Sequence, residues 1–91
     1  MSLRPRSGYY ADSLGLVYYK LGQYDKAVIW LEKAIQLAPT DGIISDHLGD
    51  AYWQTGRTSE AHFKWQHALQ LGLTPEEQAA THLKLKTGLR P

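Results

Sequence analysis

The chain has 91 residues, of which 43% are hydrophobic and 21% are charged, and this composition is typical of one small globular domain. Its net charge of +1, with no strong cluster of basic residues, argues against a nucleic-acid binder, which usually needs a clustered basic face. The chain contains no cysteine, which excludes disulfides, thiolate metal sites and a cysteine nucleophile but leaves the cellular compartment undetermined.

Two helices are predicted in the first part of the chain. The first carries apolar residues at the i, i+3, i+4, i+7 spacing of one helix face, and we predict that this face is buried: Leu14, Val17, Tyr18 and Leu21. Gly22 follows and permits the left-handed backbone that often ends a helix. The second helix has its own apolar face: Ala27, Leu31, Ala34 and Ile35. We predict its end near Ala38, because Pro39 cannot continue a helix.

A third and a fourth helix are predicted next. Asp41 is a predicted N-cap, since its carboxylate can accept hydrogen bonds from free backbone N–H groups. The buried face of the third helix is predicted to be Ile44, Leu48, Ala51 and Tyr52, and Gly56 ends it. Thr58 is predicted to cap the fourth helix. The inward face of that helix is predicted to be Ala61, Trp65, Ala68 and Leu69, and Gly72 ends it.

The fifth predicted helix has the strongest start signal in the chain. Thr74 and Glu77 have the spacing of a capping box, and Pro75 suits the first helical position. Acidic residues at its start, with Lys84 and Lys86 toward its end, suit the helix dipole. We predict its buried side to be Ala79, Ala80 and Leu83.

The two halves of the chain repeat at a spacing of 34 residues. When residues 8–41 are aligned with residues 42–75, 11 of the 34 positions are identical. Three glycines of the first unit recur in the second: Gly8, Gly15 and Gly22 as Gly42, Gly49 and Gly56. A period of this length predicts stacked helix–turn–helix units, and no segment has the alternation of a β-strand. The predicted fold is therefore an all-α repeat solenoid.

The repeated pattern resembles the tetratricopeptide (TPR) consensus. The first unit carries it as Leu14-Gly15, Tyr18, Gly22, Ala27, Leu31, Ala34 and Pro39, and the second as Leu48-Gly49, Tyr52, Gly56, Ala61, Trp65 and Ala68. The resemblance implies one TPR domain: a tail (1–7), repeat one (8–41), repeat two (42–75) and a C-terminal capping helix (76–91). The last segment is interpreted as a capping helix because it lacks the Leu-Gly…Tyr signature. The phrases DHLGDAYW and FKWQHALQLG are similar to the closing repeats of longer bacterial TPR proteins.

Neither an enzyme, a metal site nor a cofactor is predicted. None of the histidine pairs has the i, i+4 spacing of a helical zinc site: the four residues are His47, His62, His67 and His82. The serines have no base and orienting group placed beside them, and no glycine-rich phosphate loop is present. A membrane span is not predicted either, because no apolar run approaches roughly 20 residues. The first six residues also lack the apolar core of a secretory signal, and the localisation stays unknown.

The three tryptophans are predicted to differ in their surroundings. Trp65 falls on the buried stripe of the fourth helix, and Trp53 points toward the face that the first helices of the units share. Trp30 lies off the buried stripe of its helix. It either packs between neighbouring second helices or is an exposed contact.

The TPR resemblance implies a concave groove, lined by the first helix of each unit, that binds a protein or peptide partner. The groove residues are predicted to be Tyr9, Asp12, Leu16, Tyr19, Lys20, Ile43, Asp46, Asp50, Trp53 and Gln54. The three aspartates argue against the carboxylate clamp of chaperone-binding members, because like charges repel. An acidic groove with aromatic walls favours a segment with Lys or Arg and an apolar anchor. The alternative is that these aspartates are solvated or paired within their own helices.

A second functional hypothesis is a structural end segment of a longer TPR scaffold. Repeat units bury their faces only against neighbours, and the predicted first helix has no predecessor in this sequence. Its N-terminal face is therefore predicted to self-associate through Tyr9, Tyr10 and Leu14, which would make the isolated fragment a homodimer. The sequence does not identify the partner of either surface.

Overall fold

The computed structural model describes residues 6–89 and contains five α-helices. They are α1 (Arg6–Lys20), α2 (Tyr24–Leu37), α3 (Gly42–Gln54), α4 (Thr58–Gln70) and α5 (Pro75–Thr87). The helices pack in sequential pairs, α1 on α2 and α3 on α4, while α2 also packs on α3 and α4 on α5. The predicted all-α fold of helices packed in sequential pairs is confirmed, and it is consistent with two TPR units plus a capping helix. Most of the predicted tail, residues 1–5, and residues 90–91 lie outside the described part of the chain.

Local signals set most of the helix ends. The turns within the two pairs contain Gly22 and Gly56 with φ of +77° and +84°, a conformation that favours glycine. Asp41 caps α3 as predicted, because its side chain accepts from the N–H groups of residues 43 and 44. The predicted capping box of Thr74 and Glu77 is confirmed at the start of α5. The prediction for Thr58 was wrong: it is the first helical residue of α4, and the preceding Arg57 makes no side-chain cap.

Glycines inside the first helices allow each pair to pack closely. A Cβ added to Gly15 would lie 2.6 Å from Cγ of Leu31, and one added to Gly49 would lie 2.5 Å from Cδ1 of Trp65. Both distances are too short for real contacts, so any side chain here would push the second helix away. The cost of a glycine inside a helix, about 1 kcal/mol relative to alanine, is therefore offset by this packing.

The core follows the predicted faces of three helices. Trp65 is completely buried at its centre, and the predicted faces of α2, α3 and α4 supply most of the other buried residues: Ala27, Leu31, Ala34, Ile44, Leu48, Ala51, Tyr52, Ala61 and Ala68. Trp30 is half-buried and packs against a smaller cluster in which α1, α2 and α3 meet. This matches neither predicted alternative, because the cluster contains no residue of the other second helix, α4, and Trp30 is not an exposed contact.

The prediction for the buried face of α1 was wrong. Leu14, Val17 and Leu21 are 41%, 53% and 63% exposed, and only Tyr18 is half-buried. The apolar periodicity is real, but this face points away from α2. The face that contacts α2 is made instead of small residues: Gly8, Ala11 and Gly15. A first helix has two packing faces. In α1, the face with the bulkier side chains is not covered by any other part of residues 6–89.

The prediction for α5 was also wrong. Ala79, Ala80 and Leu83 are exposed, whereas the buried residue of this helix is Thr81. Leu85 and Leu89 are half-buried against the core. Leu83 occupies the repeat position of Gly15 and Gly49, which face the second helix of their own unit. Within the described chain no helix packs on that side of α5, so its apolar residues remain at the surface.

Candidate protein-binding face

The first helices of the units form one surface, which we call the first-helix face. Contacts between successive first helices join residues in the same order along each helix, so α1, α3 and α5 run parallel to one another. Three side-chain contacts recur at an offset of 35 residues: Asp12 to His47, Tyr19 to Gln54 and Asp46 to Thr81. α5 thus takes the place of a third first helix, although it lacks the repeat signature.

Asp12 is paired with a histidine of the next unit. Its carboxylate is 6% exposed, and Nδ1 of His47 donates to Oδ1 at 3.0 Å. Burial acts to lower the pKa of His47, but the hydrogen bond and charge of Asp12, with the charges of Asp46 and Asp50, outweigh it. The pKa of His47 is therefore raised above its ordinary value. This contact connects α1 to α3 with a charge that depends on pH.

Asp46 and Asp50 are paired with a lysine of α5. Nζ of Lys84 donates to Oδ2 of Asp46 and to Oδ1 of Asp50, each at 2.9 Å. Asp50 also accepts from the indole N–H of Trp65 at 3.0 Å, and Asp46 accepts from the hydroxyl of Thr81 at 2.9 Å. Burial lowers the pKa of Lys84, but the two carboxylates outweigh it and the pKa is raised. The ammonium is thus held charged between α3 and α5.

The predicted acidity of the groove is not available to a partner. All three carboxylates are committed to side chains of the same protein, and each is less than one fifth exposed. The pairs lie between helices, so the alternative of solvated or intrahelical aspartates does not describe them either. The reason is the parallel arrangement of the first helices, which places a donor of the next one beside each aspartate, at an offset of 35 residues for Asp12 and Asp46 and of 34 residues for Asp50. The Asp12–His47 and Asp46–Thr81 contacts are not apparent from the 34-residue repeat alone, because each partner lies one position beyond the repeat position.

Other predicted groove residues remain open to solvent. Tyr9 is 51% exposed, Lys20 and Gln54 are exposed, and Leu16, Tyr19 and Ile43 are half-buried. Tyr19 accepts a hydrogen bond from Nε2 of Gln54 at 3.2 Å. Burial is the main cause of the raised pKa of the Tyr19 hydroxyl. These side chains give the face an aromatic and uncharged character around Tyr19, with Lys20 at its edge.

A cleft of about 420 Å³ adjoins this region, and we call it the turn cleft. It lies between the α1–α2 turn, the start of α2 and the end of α3, and its lining is Gly22, Gln23, Tyr24, Asp25, Lys26, Gln54 and Thr55. The ring of Tyr24 meets that of Tyr19 edge-on, with 5.2 Å between centroids. Of the lining residues, only Gln54 was predicted from the sequence. The others belong mostly to the turn and to a second helix, whereas the predicted groove comprised first helices alone.

Trp53 is less accessible than predicted. Its indole stacks on the imidazole of His62 with 5.9 Å between centroids, and it also lies beside Trp65. Gly88, just after α5, packs directly on the Trp53 ring and leaves no room for a Cβ. The half-buried indole therefore packs between the core and the segment that follows α5.

The described residues offer no constellation for metal chemistry and no membrane span. Within residues 6–89, no three His, Asp or Glu side chains come together in a way that could hold a metal ion. His62 and His67 are engaged in ring contacts instead, with Trp53 and Phe63. None of the five described helices is both long and apolar enough to cross a bilayer.

Comparison with known protein families supports the repeat assignment. The family model described as TPR repeat matches residues 15–56, slightly less than half of the chain. The match runs from Gly15 in α1 to Gly56 after α3 and includes all of α2. A search of curated proteins finds no match. TPR repeats generally serve as protein–protein interaction modules and are typically non-catalytic.

Proposed function

We propose that the chain is a protein–protein interaction module that binds a partner segment along the first-helix face. The observation that carries this proposal is the aromatic pair of Tyr19 and Tyr24, which continues into the turn cleft. Tyrosine is favoured at binding surfaces because its ring offers apolar contact and its hydroxyl offers a hydrogen bond. The general role of TPR repeats supports the same class of function.

The proposed partner is a segment with aromatic or aliphatic anchors rather than a basic peptide. Asp12, Asp46 and Asp50 are already paired with His47 or Lys84 and are mostly buried, so the negative charge that remains attracts Lys or Arg less than three free aspartates would. An apolar side chain that packs on the rings of Tyr19 and Tyr24, at the edge of the turn cleft, would gain its affinity from buried area. Asp25 and Lys26 line the cleft with opposite charges and would bind polar groups of the segment.

The experiment that tests this proposal is selection of random displayed peptides against the immobilised chain. We expect enriched peptides that carry apolar anchors, and at least a tenfold loss of their affinity in Tyr19→Ala. The matched control is Phe63→Ala, which removes a 63% exposed aromatic ring from α4, away from the first-helix face, and should leave affinity within about twofold. Peptides that bind Tyr19→Ala as tightly as the unaltered chain would contradict the proposal.

The other functional hypothesis is the end segment of a longer bacterial TPR scaffold that self-associates through α1. It uses a different surface from the first-helix face, so the two hypotheses are separable. Self-association predicts a mass that rises with concentration in light scattering and is unaffected by Tyr19→Ala. A monomer at all concentrations, together with peptide binding, would favour the interaction module.

A further inference from the structure

The uncovered face of α1 is an apolar stripe, which we call the α1 stripe: Tyr10, Leu14, Val17 and Leu21. These residues are 58%, 41%, 53% and 63% exposed. They recur every three or four positions, so they lie along one line on the helix. Four large apolar side chains in a row form the kind of contiguous patch that marks an interaction site. This surface is separate from the first-helix face, so a ligand of the α1 stripe does not require peptide binding at the other surface.

The second unit shows what covers such a stripe. The residues 34 positions later are Ile44, Leu48, Ala51 and Thr55, and the first three are fully buried. They are covered by α2, the second helix of the unit before, through residues that include Leu31 and Ala34. The contact between α2 and α3 is therefore an example, within this molecule, of a second helix that covers this face of a first helix.

A polar contact in this example adds chemical detail. The hydroxyl of Tyr52 donates to Oε2 of Glu32 at 2.6 Å, and the guanidinium of Arg57 lies 4.3 Å from the centre of the Tyr52 ring. Arg57 also approaches Glu32 at 3.9 Å. A carboxylate of the covering helix is therefore placed between a tyrosine hydroxyl and a cation.

The α1 stripe has a similar polar pair at its side. Tyr18 occupies the repeat position of Tyr52, and Nζ of Lys26 lies 5.5 Å from the centre of its ring. Within residues 6–89, no carboxylate accepts from the Tyr18 hydroxyl. Tyr18 thus corresponds to Tyr52, whereas Lys26 stands at the repeat position of Glu60 and supplies a cation beside the ring in place of Arg57, whose own repeat position is Gln23. Within the described chain, no carboxylate takes the place that Glu32 has beside Tyr52.

We propose that the α1 stripe docks an amphipathic helix of the α2 pattern. Its apolar side covers Leu14 and Val17, and one glutamate accepts from the Tyr18 hydroxyl and faces Lys26. A second copy of the stripe fits less well, because its four residues are uncharged and offer no carboxylate. The sequence-based prediction of Tyr9, Tyr10 and Leu14 is thereby revised: Tyr9 belongs to the first-helix face, and Val17 and Leu21 complete the stripe.

The test is binding of a labelled synthetic peptide of residues 23–39, which contains α2, to the intact chain, measured by fluorescence anisotropy. We expect saturable binding that weakens at least tenfold in Leu14→Asp, because a charge would be buried at the centre of the stripe. The matched control is Ile29→Asp, which changes a 61% exposed residue on another helix and should alter affinity less than twofold. Circular dichroism should show unchanged helicity in both variants.

A double-mutant cycle tests the carboxylate. Glu32→Gln in the peptide and Tyr18→Phe in the chain should each weaken binding about threefold to tenfold, and the combination should weaken it no further. Additive effects, or equal binding to Leu14→Asp, would overturn the proposal. Doubling of the mass of the chain alone, abolished by Leu14→Asp, would also overturn it in favour of a second copy as the occupant. Because the peptide does not address Tyr19, these results leave the proposed groove function to its own test.

Discussion

Single residues decide how closely the helices of a pair approach. Gly15 and Gly49 face Leu31 and Trp65, so the second unit accommodates a much larger side chain against the same glycine. The indole N–H of Trp65 reaches Asp50, which gives the buried ring a hydrogen-bond partner. Gly49 and Asp50 together therefore accommodate the ring of Trp65, the first by leaving space for it and the second by accepting its N–H.

Gly49→Ala should destabilise the protein. The new Cβ would lie 2.5 Å from Cδ1 and Nε1 of Trp65, and the ring cannot retreat without losing contacts in the core. We expect the overpacking to exceed the helix-propensity gain of alanine and to lower the free energy of unfolding by about 1–3 kcal/mol. Urea denaturation measures this, with Gln66→Ala at an exposed position of α4 as the control. A Gly49→Ala protein as stable as that control would show that the interhelical spacing adjusts.

The Asp12–His47 pair should make stability depend on pH. Because the pKa of His47 is raised in the folded protein, the native state retains a proton that the unfolded state loses near pH 6.5. This contribution is fully present below about pH 6.5 and is lost as the pH rises through the raised pKa. Urea denaturation at a series of pH values should show the decline, and Asp12→Asn should flatten it. His82→Gln, an exposed histidine of α5, is the control; a slope unaffected by Asp12→Asn would contradict the assignment.

At the scale of elements, α5 combines a well-defined local helix with little buried apolar surface. Its capping box, Pro75 at the start and Lys84 and Lys86 near the end all favour helix formation. Its attachment to the rest of the chain relies on Leu85, Leu89, Thr81 and the lysine pair. Polar contacts therefore contribute a large part of what holds this helix in place.

Lys84→Met should loosen α5. The substitution removes the cation between Asp46 and Asp50 and leaves two nearby carboxylates without their partner. We expect a loss of about 1–3 kcal/mol in the free energy of unfolding, at the lower end of values for buried pairs because the groups are partly hydrated. Hydrogen exchange should show faster exchange of the α5 amides. Lys86→Met, an exposed lysine on the same helix, should change neither quantity, and equal behaviour of the two variants would exclude Lys84 as the anchor.

At the scale of the whole molecule, the units are joined into one cooperative structure. The larger core cluster includes residues of α2, α3 and α4, and the smaller one joins α1, α2 and α3. Since α2 and α3 belong to both clusters, the first unit cannot unfold without exposing part of the second. This arrangement favours a single transition, as small domains usually show.

Trp30→Phe offers a test of this cooperativity. The variant retains Trp53 and Trp65, so its fluorescence reports on the second unit, whereas far-UV circular dichroism reports on all helices. We expect coincident urea transitions for the two signals. Separate midpoints would mean that the units unfold independently, as loosely coupled repeats do.

The sequence by itself determined the repeat, the number of helices, most of their ends and the faces of α2, α3 and α4. These features depend on interactions within a few residues along the chain, such as the Asp41 cap, the Thr74 box and the glycines of the turns. Apolar periodicity also revealed the stripe of α1, but it could not indicate whether a neighbour covers it.

Only the tertiary structure decided which of the predicted groove residues are paired and which helix faces are exposed. The sequence is compatible both with a groove of free aspartates and with a row of paired aspartates. The aspartates are paired because parallel first helices bring residues 35 positions apart into contact. The same cause places α5 beside α3 through Lys84, which no local pattern predicts. Burial in a repeat protein depends on which neighbour is present, and so the exposed faces of α1 and α5 became apparent only when the helices were assembled.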